Sequence, residues 1–323
     1  MQFQFDDVTE AARETARRFS DDRLLPHYQA REKDGRFERG LLEEMGDLGL
    51  VAPDLPERFG GIGAGGLTQG AVIEEIGRGD LSVGYVQLLG SLIGGVLARH
   101  ADAALAEEVL PQIASGRLLP ALGLTEPRGG TDAANLQLRA RRDGDDWVLD
   151  GEKASISCAN QADGILVAAR TGAPDSGARG VTAFWVELDA PGISRSAYDD
   201  LGSLAVGRGS VWFDGVRVPD ARRVGDEGMG FIRVMQGFDY SRALIALKVL
   251  GCARASLDET WPYITERQAF GRPLAEFQGV SFPLAEADAE VRAARLLAYE
   301  CLWLRDQDRP HTKEAAMVKW LGP

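Results

Sequence analysis

The order of helical and strand-like patterns along the chain is the feature that most constrains its fold. Apolar residues recur at helical spacing between residues 8 and 115, as in Leu41, Met45 and Leu48. Shorter alternating runs, bounded by Gly, Pro and Asp, then occupy residues 136–218, and helical patterns return at residue 230. Because separate runs of each type indicate segregated elements, we predict an α+β fold and not a doubly wound sheet.

Two changes of pattern divide the chain of 323 residues, which is long enough for more than one structural unit. We predict an N-terminal helical domain over residues 1–120, a central antiparallel β domain over residues 121–228, and a C-terminal helical bundle over residues 229–323.

Specific residues predict where these elements turn or break. In the β domain, Asp143-Gly144 and Asp150-Gly151 each predict a tight turn. In the C-terminal bundle, Pro262 and Pro283 are each expected to kink or interrupt a helix, because proline lacks the amide proton that a helix interior uses.

The composition excludes several classes of protein. Hydrophobic residues make up 45% of the chain and charged residues 26%, as in an ordinary soluble globular protein. The net charge of -13 argues against a nucleic-acid partner, and no apolar run reaches membrane-spanning length. The three cysteines are far apart, as expected for small buried side chains in a reducing cytoplasm, where we expect the protein to lie. The scattered histidines have no metal-ligand spacing, so we expect no metal.

One loop has the composition of an anion site. The segment Thr125-Glu-Pro-Arg-Gly-Gly-Thr-Asp132 follows the apolar run Leu122-Gly-Leu124. Adjacent glycines let backbone N–H groups approach an anion closely, and two threonine hydroxyls can add hydrogen bonds. The segment suits a phosphate-bearing cofactor; on residue chemistry alone, a plain turn after a strand is the alternative.

A second glycine-rich segment is a false match. Gly61-Ile-Gly63-Ala-Gly65-Gly66 fits the dinucleotide fingerprint literally. That fingerprint has meaning only between a strand and a helix of a βαβ unit. The preceding Pro53-Asp-Leu-Pro56 is not a strand pattern, so we interpret the segment as a surface loop.

Several segments in a fixed order resemble the acyl-CoA dehydrogenase family of flavoproteins, over nearly the whole chain. The matching segments are Pro56-Glu-Arg-Phe-Gly-Gly61, Leu124-Thr-Glu-Pro-Arg-Gly-Gly-Thr-Asp132, Leu149-Asp-Gly-Glu-Lys153, Phe213-Asp-Gly-Val-Arg-Val-Pro219, Gly225-Asp-Glu-Gly-Met-Gly-Phe231, Glu266-Arg-Gln-Ala-Phe-Gly-Arg-Pro273, Phe277-Gln278 and Lys313-Glu-Ala-Ala-Met317. The resemblance implies the family fold, FAD as cofactor and an acyl-CoA thioester as substrate.

The resemblance also implies roles for individual residues. The positions that match the flavin and phosphate loop are Leu122, Leu124, Thr125, Gly130 and Thr131. Ser155 and Ser157 match the segment along the isoalloxazine ring, although Ser155 stands where many members have an aromatic residue. The positions that match contacts with the FAD of a neighbouring subunit are Arg267, Phe270, Phe277 and Gln278, which implies a homotetramer built as a dimer of dimers. The positions that match substrate contacts are Thr131, Asp239 and Arg242.

Each assignment has a structural alternative. Asp239 and Arg242 are three residues apart and could form an ion pair on one helix face. Arg267 could belong to a surface ion pair, and Phe270 and Phe277 could be core residues. Ser155 and Ser157 could satisfy strand ends.

The catalytic base is the residue that the resemblance does not supply. In most members it is a glutamate that would lie beyond Pro323, and some members place a glutamate at the position of Ser241. We therefore leave the catalytic residue unassigned and expect the C-terminal part of the family to be absent from this chain.

The implied reaction removes hydrogen from the α and β carbons of the acyl group, with electrons passed to an electron-transfer flavoprotein. Gly237-Phe-Asp-Tyr-Ser-Arg-Ala-Leu244 and Val206-Gly-Arg-Gly-Ser210 resemble the branch that acts on alicyclic substrates such as cyclohexanecarboxyl-CoA. The alternatives are another short acyl-CoA, an acyl-CoA oxidase or enoyl-CoA reductase, and a non-catalytic acyl-CoA-binding homologue.

Overall fold

The computed structural model describes residues 4–323, which form two compact units. The helical unit comprises residues 4–28, 65–84 and 239–323, and the sheet-containing unit comprises residues 29–64 and 85–238. All eight strands of the large sheet lie in one stretch of the chain, with helices before and after it, so the predicted α+β fold is confirmed.

The helices agree closely with the apolar periodicity. They are α1 (Asp7–Phe19), α2 (Tyr28–Asp34), α3 (Arg39–Asp47), α4 (Gly66–Gly79), α5 (Gly84–His100), α6 (Ala103–Ala114), α7 (Gly230–Glu266), α8 (Gln278–Asp306) and α9 (Thr312–Leu321). The strands are β1 (Pro120–Gly123), β2 (Arg139–Asp143), β3 (Asp146–Ile156), β4 (Gly164–Arg170), β5 (Val181–Glu187), β6 (Ile193–Ala197), β7 (Gly209–Pro219), β8 (Arg223–Val224), β9 (Gln268–Ala269) and β10 (Arg272–Pro273).

The large sheet is mostly antiparallel. Its strands follow the order β6-β7-β3-β2-β4-β5-β8, and β1 pairs with β4 in parallel. Every residue of β4 is buried, as expected for the continuous apolar run Gly-Ile-Leu-Val-Ala-Ala that begins at Gly164. Phe184 and Trp185 on β5 are also fully buried, so the core of this unit lies along β4 and β5.

Glycines allow the helical unit to pack tightly. A Cβ atom on Gly77 of α4 would lie 2.1 Å from the carbonyl oxygen of Lys248 on α7, and one on Gly251 would lie 2.1 Å from the carbonyl oxygen of Glu74. Because either contact is far too short, only glycine permits this approach of the two helix backbones.

The rejected dinucleotide match is indeed not a phosphate loop of that type. No strand lies within residues 53–65 of the described chain, and α4 begins directly after Gly65. The carboxylate of Asp306 accepts hydrogen bonds from the amides of Gly66 and Leu67, at 2.8 and 2.9 Å. A protein side chain therefore already occupies the helix N-terminus where a phosphate would bind.

Two predicted helix interruptions and one predicted turn were wrong. Helix α7 continues through Pro262 to Glu266 and α8 continues through Pro283, so neither proline ends its helix, while a kink at either proline stays a prediction. Asp150-Gly151 does not form a turn, because β3 runs on to Ile156 with a shift of register against β7 between Leu149 and Gly151.

The described helices were also compared with the length and hydropathy that a bilayer requires. None of those within residues 4–323 is sufficiently long and apolar to span a membrane.

Candidate functional site

The loop after β1 forms a turn whose tip is open to solvent. The amide of Gly129 donates to the carbonyl oxygen of Glu126 at 3.0 Å, and Thr125 accepts a hydrogen bond from the amide of Ala154 at 2.9 Å. Residues 127–132 are all exposed. The turn alternative and the cofactor alternative are thus compatible, because the turn leaves its backbone accessible.

A buried ion pair anchors this loop. The carboxylate of Glu126 accepts hydrogen bonds from the amides of Gln137 and Leu138, at 2.7 and 2.9 Å, and from the Lys153 ammonium at 2.8 Å. Lys153 also donates to the carbonyl oxygen of Leu124 at 3.2 Å. Lys153 is fully buried and Glu126 is 7% exposed, so the ion pair between them is shielded from water.

Burial governs the titration of Lys153. Loss of hydration lowers the pKa of Lys153 from 10.5 to about 8, and the attraction of Glu126 opposes this shift. Both residues lie in motifs that carry the family resemblance, but no pattern in the sequence pairs them. Burial of both charges would have indicated the pairing, because buried charges require partners. The sequence does not show that either residue is buried.

A second buried cation supports the far end of the loop. Arg170, which is 6% exposed, donates to the carbonyl oxygens of Ala134 and Leu136, at 2.6 and 3.0 Å. It also contacts Ser176 and Gly177, so the chain on both sides of this guanidinium is fixed.

The loop has the chemistry that a flavin dinucleotide requires. Among the described residues, the hydroxyls of Thr125 and Thr131 have no hydrogen-bond partner, and both remain available to a ligand. A Cβ atom on Gly129 would meet no heavy atom within 4 Å, and one on Gly130 would meet only Thr125. Accessible amides and free hydroxyls next to two glycines are suited to phosphate oxygens, so these residues fit the cofactor.

The two predicted leucines have a packing role. Leu124 is buried in a cluster with Leu136, Ala168 and Val181, and Leu122 packs against this cluster. Their side chains therefore contribute to the apolar support beneath the loop.

The segment at the end of β3 has an unusual backbone. Ser155 has φ 57° and Cys158 has φ 63°, both in the left-handed region that non-glycine residues rarely adopt. Ser155 is exposed, and its amide donates to the Tyr198 hydroxyl at 3.2 Å. The half-buried Ser157 has a hydroxyl without a partner in the described part of the chain. Such strain costs about 1–3 kcal/mol per residue and often marks functional segments.

Asp239 and Arg242 form the ion pair that the sequence spacing allowed. Their side chains are in direct contact on α7, and the Thr312 hydroxyl donates to the other Asp239 oxygen at 2.5 Å. The side chain of Arg242 is 32% exposed, so part of its guanidinium remains accessible.

The four residues matched to a neighbouring subunit lie around the β9–β10 hairpin. Phe270 is 97% exposed at the hairpin tip, with φ 52°, so the core alternative is wrong for this residue. Its ring centroid lies 6.3 Å from that of the half-buried Phe277. Arg267 and Gln278 are exposed, and Arg267 has no ion-pair partner within residues 4–323. Exposed aromatic and guanidinium groups together are typical of interaction sites.

Comparison with known proteins identifies the class. The family model of the acyl-CoA dehydrogenase N-terminal domain matches residues 6–117, that of the middle domain residues 121–216, and that of the C-terminal domain residues 228–323. The chain therefore belongs to the acyl-CoA dehydrogenase family. It is an oxidoreductase that acts on acyl-CoA, and its cofactor is FAD.

Individual relatives agree. The chain is 34% identical to probable acyl-CoA dehydrogenase YngJ of Bacillus subtilis over 322 residues, which cover 99% of this chain and 84% of the relative. It is 35% identical to the mitochondrial short-chain specific acyl-CoA dehydrogenase of Rattus norvegicus, covering 95% of this chain and 75% of the relative. The structure of butyryl-CoA dehydrogenase from Megasphaera elsdenii superposes with a TM-score of 0.94 at 30% identity, over 100% of this chain and 85% of that one.

These matches correct one prediction. The C-terminal part of the family was expected to be absent, but the C-terminal domain is present over residues 228–323. Helix α9, the last helix of this domain, packs within the helical unit through buried Ala315 and Val318. The catalytic base stays unassigned.

Proposed function

We propose that this chain catalyses α,β-dehydrogenation of an acyl-CoA thioester. The observation that carries the proposal is the loop from Thr125 to Asp132, where the buried Glu126–Lys153 pair holds two free hydroxyls and an accessible glycine backbone in place. Bound FAD would supply the acceptor for the hydride that leaves the β carbon. The protein's own contribution is to bind, orient and exclude water.

We propose these roles for the residues of the sheet-containing unit. The amide of Gly130 and the hydroxyls of Thr125 and Thr131 hold the flavin phosphates, and Thr131 also contacts the substrate. Leu122 and Leu124 support this loop from the apolar cluster below it. Ser155 and Ser157 line the isoalloxazine ring, where the free Ser157 hydroxyl is available for a hydrogen bond.

In the helical unit, we propose that Arg242 contacts the substrate, with Asp239 fixing its guanidinium. The direct contact between the two side chains supports this pairing. We also propose that Arg267, Phe270, Phe277 and Gln278 contact the FAD of a second copy of the chain, within a homotetramer. The 97% exposure of Phe270 supports a partner at this hairpin.

The acyl group of the substrate and the electron acceptor can be proposed more specifically than family membership defines them. We propose an alicyclic or short acyl group, with cyclohexanecarboxyl-CoA as the first candidate, and an electron-transfer flavoprotein as acceptor. The short-chain relatives support a small acyl group. We further propose a cytoplasmic protein with domains over residues 1–120, 121–228 and 229–323.

An anaerobic absorbance titration tests this function. The purified protein would be titrated with cyclohexanecarboxyl-CoA and, separately, with butyryl-CoA, while the visible flavin band is recorded. Bleaching by either compound supports dehydrogenation, and the more effective compound identifies the acyl class. A flavin band that neither compound bleaches would contradict the proposed reaction, and acetyl-CoA, which has no β carbon to oxidise, is the control.

A further inference from the structure

A bulge in β3 lies between the two parts of the proposed flavin site. Lys153 pairs with Val211 of β7 and Ile156 pairs with Gly209, so two residues of β3 stand opposite the single residue Ser210. A bulge of this kind removes its residues from the regular ladder of hydrogen bonds. The amides of both bulged residues must therefore find partners elsewhere.

Tyr198 supplies one of these partners. Its hydroxyl accepts the hydrogen bond from the Ser155 amide at 3.2 Å and lies 2.9 Å from the hydroxyl of Ser210, the residue opposite the bulge. Ser210 is 3% exposed and Tyr198 is half-buried, so this contact is partly shielded from water. One phenol thus connects both sides of the bulge at the residue with the strained backbone.

Tyr198 is itself held from other directions. Its amide donates to the carbonyl oxygen of Arg208 at 2.8 Å, and the Arg208 guanidinium lies 5.4 Å from the centre of its ring. Asp200 binds that guanidinium through both oxygens, at 2.5 and 3.1 Å. The arginine over the aromatic face, itself bound by a bidentate carboxylate, restricts the movement of the ring.

We propose that Tyr198 is a positioning residue that fixes the conformation of Ser155 to Ser157 and thereby sets the environment of the flavin ring. The proposal rests on the proposed function for the contact of this segment with the flavin. The restraint of Ser155 itself follows from the contacts above. The position of the Ser157 hydroxyl depends on this restraint, because it lies two residues after the left-handed turn.

The test compares Tyr198→Phe with Tyr299→Phe. Both variants remove one phenol hydroxyl that makes a hydrogen bond, but Tyr299 binds Glu74 in the helical unit. In the holoprotein, Tyr198→Phe is expected to shift the visible flavin spectrum and to lower kcat by about 3- to 10-fold, the usual effect of one lost hydrogen bond. Tyr299→Phe is expected to lower the melting temperature and leave the flavin spectrum and kcat unchanged.

A flavin-independent measurement separates this inference from the proposed function. In protein stripped of FAD, the amide of Ser155 should exchange its proton about 3- to 10-fold faster in Tyr198→Phe than in wild type, because its acceptor is gone. Faster exchange with an unchanged flavin spectrum would overturn the link to the flavin while keeping the restraint. Unchanged exchange would overturn the inference, even if wild-type protein binds FAD and is reduced by acyl-CoA.

Discussion

Replacement of Glu126 by glutamine would test how firmly the flavin loop depends on its buried ion pair. The variant keeps the size of the side chain but leaves the Lys153 ammonium without a counter-charge at a site with no solvent exposure. It also turns an amide group toward one of the two backbone N–H donors that the carboxylate accepts from.

The expected loss of stability is the sum of these two effects, the unpaired charge and the unpaired N–H group. Lys153 can lose its proton, so the charge part of the cost at pH 7 is limited to the free energy of deprotonation between pH 7 and its pKa of about 8, which is about 1 kcal/mol. One backbone N–H without an acceptor adds about 1–3 kcal/mol. We therefore expect Glu126→Gln to lower the free energy of unfolding by about 3 kcal/mol, close to the range found when one partner of a buried pair is removed.

The charge part has a definite pH dependence. Removal of the carboxylate lowers the pKa of Lys153 in the folded variant further. At pH values between this lower pKa and about 8, Lys153 is protonated in the folded wild type but not in the folded variant. The stability advantage of the wild type over the variant therefore shrinks as the pH rises through 8, by about 1 kcal/mol between pH 7 and pH 9. In both proteins the lysine is protonated in the unfolded chain up to its ordinary pKa of 10.5, so that contribution cancels in the difference.

Urea unfolding of the flavin-free proteins at pH 7 and pH 9 measures both effects. Glu107→Gln is the matched control, because Glu107 is exposed and its carboxylate has no hydrogen bond or ion pair within residues 4–323. Its substitution should change the free energy of unfolding by less than about 0.5 kcal/mol. The double variant Glu126→Gln/Lys153→Met should be no less stable than Glu126→Gln, since it has no buried charge. A double variant destabilised by the full sum of the two single changes would refute this reasoning.

Three further changes test the supports outside the loop. Glu74→Gln should lower the free energy of unfolding by about 3–5 kcal/mol in urea, because two arginines and a tyrosine bind this fully buried carboxylate; a cost below 1 kcal/mol would contradict a structural role. Asp306→Asn should cost about 1 kcal/mol by the same assay, through a weaker cap on α4, and an unchanged midpoint would show that the cap contributes nothing. Hydrogen bonds from Arg223 and then Trp147 lower the pKa of Asp220 to about 2, so the stability that this carboxylate contributes is complete above pH 3.8 and is lost as the pH falls toward 2. Tryptophan fluorescence during acid titration should show Asp220→Asn unfolding at higher pH than wild type, and coincident curves would contradict that contribution.

The periodicity of apolar residues was sufficient for the fold because it depends on local spacing. Helices, strands and their order followed from it, and so did rejection of the glycine-rich match before α4. The errors occurred where tertiary packing overrides a local signal. Pro262 lies inside a long helix whose neighbouring turns are intact, and Gly151 lies where the pairing of β3 with β7 shifts register while β3 continues.

The candidate site, like the fold, could be predicted from the sequence only where the signal is local. The hydroxyl and glycine positions of the loop were identified from adjacent residues and from the family resemblance. The Glu126–Lys153 pair joins residues that are 27 positions apart, and the contact between Ser155 and Tyr198 spans 43 positions. A single sequence contains no information on such distances, so neither contact could be predicted.

These long-range contacts converge on three consecutive residues of β3. Lys153 binds the loop through Glu126, the amide of Ala154 donates to the carbonyl oxygen of Thr125, and the amide of Ser155 donates to Tyr198. The bulge makes this possible, because it frees the amides of two adjacent residues from the ladder with β7. The phosphate loop and the serine segment are therefore held by one short stretch of backbone. Because a rigid support couples the groups that it carries, a change in either anchor should affect both the affinity for FAD and the environment of the flavin ring.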